Sequence, residues 1–218
     1  MPAHSSGGKN LKQQRPVLTI AVWAVLAGII LTPFVIAATS PYLIGRDITY
    51  VVAGLAGIAA LCFLLIQPLL AAGYLPGANL LKERRWHRWI GSAIVVAVAL
   101  HVGGLYITSP ADALDALLLV SPTPFSLYGV IGMWAVILTA LLVAFRSTLK
   151  LPYKLWNTIH NLLAVVVVIG TVVHALMIEG TMGTLSKTFL CVCVLAATAT
   201  AIIHLRILKP MLQKQRNS

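Results

Sequence analysis

Trp156-Asn157-Thr158-Ile159-His160 opens a long apolar run that ends at a second histidine, His174, and the same interval separates His87 from His101. Each pair has thirteen residues between its histidines. At about 100° and about 1.5 Å per residue, a step of fourteen returns to within ~40° of one helix face, ~21 Å further along. Both members of a pair therefore look the same way. A separation of ~21 Å fits inside a hydrocarbon layer ~30 Å thick, with one imidazole nearer each surface.

The composition around these pairs is that of a membrane protein. Hydrophobic residues make up 59% of 218 and charged residues 10%, with a mean hydropathy of +0.93; an ordinary soluble domain is excluded. Six apolar runs are long enough to cross a bilayer, at 17 to 39, 49 to 73, 88 to 107, 127 to 145, 155 to 178 and 187 to 208. In lipid each backbone group must be satisfied within its own segment, so the expected fold is all-α, a six-helix transmembrane bundle. Fourteen of the sixteen lysines and arginines fall on one side of this arrangement, leaving only Arg46 and Lys187 on the other. By the positive-inside rule both termini are expected to be cytoplasmic. The net charge of +11 is accounted for by topology and contact with anionic lipid, and requires no nucleic acid.

Residues 1–16 read as a disordered basic tail, 17–208 as the transmembrane domain and 209–218 as a second basic tail. The first apolar run is long enough to span and has no clear cleavage site, so no cleaved signal peptide is expected. Between Pro110 and Pro122 a short helix on the outer surface is expected. No glycine-rich dinucleotide fingerprint or separate domain is present to hold a flavin or nicotinamide.

His101 lies deep in an otherwise apolar helix, where a buried ionisable group points to function. His87 sits at the membrane interface within Lys82-Glu83-Arg84-Arg85-Trp86-His87-Arg88-Trp89, a run that also serves as an interfacial belt. Two helices of this kind side by side make two levels, each with two facing imidazoles, which is the geometry for two stacked haems. Zinc or copper wants three or four close ligands, and ~21 Å between members of a pair prevents that. Haem iron with two axial histidines fits best. Spans three and five run the same way, so His87 pairs with His160 on the inner side and His101 with His174 on the outer. Arg84, Arg85, Arg88 and Lys154 lie where the inner haem's propionates need counter-ions, and they also serve topology. Gly91, Gly103 and Gly104 leave room for a flat macrocycle or for helix packing. Gly54 and Gly57 read as helix contacts, and the fourth span, with Met133 and Trp134 and no ionisable residue, as scaffold. Cys62, Cys191 and Cys193 read as small packing residues. His204 reads as a helix cap or a proton acceptor for a quinol.

His87-Arg88-Trp89-Ile90-Gly91 leading to His101, and Trp156-Asn157-Thr158-Ile159-His160-Asn161 leading to His174, resemble the ferric reductase-like transmembrane domain superfamily from about 49 to 208. The superfamily covers ferric reductases, the membrane part of NADPH oxidases and MsrQ-like haem-binding subunits of bacterial methionine sulfoxide reductase systems. The resemblance implies a cell inner membrane haem b protein, the electron-transfer subunit of an oxidoreductase, with His87, His101, His160 and His174 as iron ligands. It also implies a separate inner donor, flavin reductase or quinol, and an outer acceptor. The full four-histidine set departs from the MsrQ-like pattern at His87 and favours a two-haem ferric reductase-like protein over the MsrQ-like alternative. A non-redox assembly or scaffold protein would instead need all four histidines as packing residues.

Overall fold

The computed structural model describes residues 7–216. In chain order the helices are α1 (Gly7–Ala38), α2 (Ile48–Ala72), α3 (Leu80–Thr108), α4 (Pro110–Leu117), α5 (Pro124–Ala144), α6 (Arg146–Leu149), α7 (Tyr153–Met177), α8 (Thr184–Ile203) and α9 (Lys209–Arg216), with a π-helical turn, His204–Leu208, joining the last two. Six of the helical segments are long and apolar enough to cross a membrane, and the protein is a multi-pass, all-α membrane protein. The segment expected as an N-terminal tail is helical from Gly7, and the rest of it, 1–6, lies outside the described residues. In the C-terminal segment α9 runs to Arg216, and 217–218 lie outside.

Local chemistry sets the helix ends. Asp47 accepts from the backbone N–H of Thr49 at 2.7 Å to start α2, and Asn79 does the same for Lys82 at 2.9 Å to start α3; such N-caps satisfy donors that have no partner within the helix. Gly73, at φ +74°, closes α2 in the left-handed region, where a side chain would be strained. Lys187 donates to the carbonyls of Leu176 and Ile178, so this lysine satisfies the last turn of α7. The expected surface helix is α4.

The bundle is built from two helical hairpins. α2 packs along α3, and α5 along α7, more extensively than any other pair; α8 bridges α2 and α7, and α1 lies against α2 and α8. The buried centre runs through Leu61, Cys62, Leu190, Cys191 and Val194, which bears out the packing role of these two cysteines. α3 and α7 make no substantial backbone contact with each other. Each is held by its own hairpin partner, and a gap between them is left to side chains.

Candidate functional site

Four imidazoles reach into that gap. His87 on α3 faces His160 on α7 with ring centres 6.3 Å apart and planes crossed at 64°. His101 faces His174 at 6.4 Å with planes at 79°. The two pairs sit at separate levels, ~21 Å apart along the helices. A ring nitrogen ~2.0 Å from a metal ion has its ring centre ~1.2 Å further back, so two imidazoles sharing one ion in line stand ~6.4 Å centre to centre. Both pairs match that span.

Three of the four rings are fixed from behind by main-chain carbonyls of the hairpin partner. His101 Nδ1 lies 2.8 Å from Ala53 O, His174 Nδ1 2.8 Å from Phe125 O, and His87 Nδ1 3.3 Å from Gln67 O. A carbonyl only accepts, so Nδ1 carries the proton and Nε2 keeps its lone pair for a metal. The His160 Nδ1 is buried and has no such partner.

Glycine explains how a side chain reaches a carbonyl that is already bonded within its helix. A helix carbonyl points toward the turn holding residue i+4, whose N–H takes one lone pair. A second donor must lie beside that residue's Cβ. Four positions after Ala53 stands Gly57, where a Cβ would fall 2.8 Å from His101 Nδ1; four after Phe125 stands Gly129, where it would fall 2.6 Å from His174 Nδ1. The same device recurs in reverse at His87, whose carbonyl accepts from Gln67 Nε2 at 3.1 Å beside Gly91, where a Cβ would sit 3.2 Å from that nitrogen.

These contacts revise several expectations. The span read as scaffold, α5, supplies both the carbonyl and the glycine behind His174. Gly57 does more than admit a neighbouring helix, Gly91 admits a glutamine amide rather than a macrocycle, and Gly104 meets α2 at Ala53, while Gly54 and Gly103 have open space around them. A signal for Gly129 was present: seventy-two positions separate Gly57 from Gly129 and Ala53 from Phe125, and seventy-three separate His87 from His160 and His101 from His174. The α2–α3 and α5–α7 hairpins are two copies of one device.

Arg84, Arg85, Arg88 and Lys154 are exposed at the end of the bundle that carries His87 and His160. Two further cations, not singled out from sequence, join that end. Arg146 stands over the Trp156 ring at 4.3 Å, and Arg206 donates to Asn157 O at 3.0 Å. His204 does not cap carbonyls with its side chain; its Nδ1 lies 2.7 Å from the Tyr74 hydroxyl. Among the described residues no three His, Cys, Asp or Glu side chains come together to hold a metal ion.

A family model described as ferric reductase like transmembrane component matches residues 49–171, which takes in α2 to most of α7 and three of the four histidines. No curated protein and no solved structure matches the chain. With more than half its length matched, the chain belongs to the ferric reductase-like transmembrane component family.

Proposed function

We propose that this protein is a haem b-containing electron carrier of the bacterial cytoplasmic membrane, moving single electrons from a separate inner donor, a flavin reductase or a quinol, to an outer acceptor. The observation that carries this reading is the set of two imidazole pairs, 6.3 and 6.4 Å across, bridging helices that make no substantial backbone contact with each other. Membership of the family supports it. In this reading His87 and His160 would hold the inner haem, and His101 and His174 the outer. The haems, when bound, would supply one-electron redox chemistry.

The chain's own groups do the rest. Carbonyls of Ala53, Phe125 and Gln67 hold three rings in the tautomer that leaves Nε2 free, and a hydrogen bond of this kind raises the basicity of a ligand. Arg84, Arg85, Arg88 and Lys154 offer charge-assisted donors to the propionates of the inner haem and, with the other basic residues of that end, orient both termini to the cytoplasm. The haem-binding unit is 17–208, flanked by basic tails in contact with lipid headgroups. A non-redox scaffold would leave four imidazoles at two matched levels without a use.

The test is purification from a host supplied with haem. Two haems b per chain by pyridine haemochrome, with a low-spin reduced-minus-oxidised spectrum, are expected, and haem-free protein refutes the proposal. His101→Ala or His174→Ala should each leave one haem and abolish transmembrane transfer while insertion survives; unchanged haem content in either contradicts the pairing.

A further inference from the structure

One ligand in four lacks the support the others share. By the hairpin repeat, the carbonyl that would serve His160 is that of Thr139, seventy-two positions after Gln67, and the residue four positions on from it is Val143. At the other three sites that following residue is Gly57, Gly129 or Ala71. The bond lengths follow the same order: 2.8 Å beside each glycine, 3.3 Å beside alanine, and no bond at the valine position. At this position of the repeat His160 thus meets a β-branched residue where the other three sites have glycine or alanine.

What His160 has instead is an aromatic plate. Trp156, one turn before it on α7, lies nearly parallel to the imidazole, with planes 8° apart and centres 5.3 Å apart. Residues four apart share a helix face, so the contact is built into the local sequence. The indole is itself tied down: its Nε1–H points to Leu142 O at 3.4 Å, and the Arg146 guanidinium stands over it at 4.3 Å, a cation–π contact. The matching position in the first hairpin, seventy-three residues earlier, is Glu83, so this plate belongs to the His160 hairpin alone.

We propose that Trp156 is the positioning residue for His160, setting by stacking the ring orientation that a helix carbonyl sets for the other three imidazoles. The proposal rests on the haem reading above. An imidazole turns about two bonds; a hydrogen bond at Nδ1 stops the second rotation, and so does a parallel ring one turn away. The plate controls the plane of His160 without the Nδ1 hydrogen bond that raises a ligand's donor strength.

The test uses full-length protein purified with haem: wild type, Trp156→Leu and Trp156→Phe, read by haem content, low-temperature electron paramagnetic resonance of the ferric state and redox titration. The anisotropy of a low-spin ferric signal depends on the angle between the two axial imidazole planes. Trp156→Leu should therefore shift or broaden the component lost in a His87→Ala variant, leaving the other component unmoved, and Trp156→Phe should restore most of the wild-type signal. Loss of one haem from the leucine variant but not from the phenylalanine variant supports the proposal equally. A leucine variant whose signal and potentials match wild type overturns it, and so does a phenylalanine variant that behaves no better than leucine. Wild-type protein without haem overturns the underlying reading instead.

Discussion

Gly129 shows how much can rest on a missing methyl group. Its Cβ would stand 2.6 Å from the Nδ1 of His174, closer than carbon and nitrogen tolerate, and the imidazole would have to leave the Phe125 carbonyl. Gly129→Ala and Gly57→Ala are each expected to lower the haem-to-protein ratio from two toward one with insertion intact, while Gly103→Ala, with nothing within 4 Å, leaves it unchanged; pyridine haemochrome assay of the three variants checks this. At the opposite extreme of exposure, the hydroxyl and then the backbone N–H of Thr49 hold the Asp47 carboxyl below the ordinary carboxylate range. A lowered value means the charged cap is fully in place above that range and is lost as pH falls through the lowered value. Acid should therefore fray the first turn of α2, and Asp47→Asn, still a good cap, should make that turn insensitive to pH; amide exchange over residues 48–51 during an acid titration measures it. The histidine interval that directs attention to His174 lies on one helix and is legible along the chain. The groups behind the ring come from α5 and carry no ionisable side chain to mark them.

Helix pairs are set by small residues at their crossings. At Gly104 of α3, which faces α2, a Cβ would meet Ala53 Cβ at 2.7 Å and Thr49 O at 3.3 Å, and at Gly170 of α7 a Cβ would meet Tyr128 O at 3.0 Å and Gly132 N at 3.1 Å. Close approach of this kind substitutes for the hydrophobic effect, which gives no drive between helices in lipid. Gly104→Val should force α3 away from α2, costing about 1–3 kcal/mol and breaking the His101–Ala53 bond; Gly54→Val on the open face of α2 should cost far less. Unfolding midpoints of the purified variants in mixed detergent micelles compare the two. The π turn at His204–Leu208 is a second element with a positional result, since one extra residue in a turn rotates every later side chain about the helix axis. Its Arg206 reaches the Asn157 carbonyl and its His204 the Tyr74 hydroxyl, so the turn after α8 braces α7 and the segment just beyond α2. Nothing in the apolar pattern of 187–208 distinguishes a π turn from continued α-helix.

Across the whole molecule the charge is divided as sharply as the histidines are. Lys150, between α6 and α7, belongs to the basic end, and Arg46, before α2, to the other. With the orientation proposed here, a cysteine at Arg46 is expected to react with a membrane-impermeant maleimide in intact cells, and one at Lys150 only after permeabilisation; the reverse pattern would invert the two haem levels and the direction of transfer. The six spans, the charge asymmetry and the equal histidine intervals were all legible from the chain because each depends on residues within one segment, where length, hydropathy and a 3.6-residue period are enough. The gap between α3 and α7, the carbonyl behind each ring and the lack of one behind His160 required the packed bundle. They depend on the register of one helix against another, and a carbonyl acceptor has no side-chain identity that a linear reading can detect.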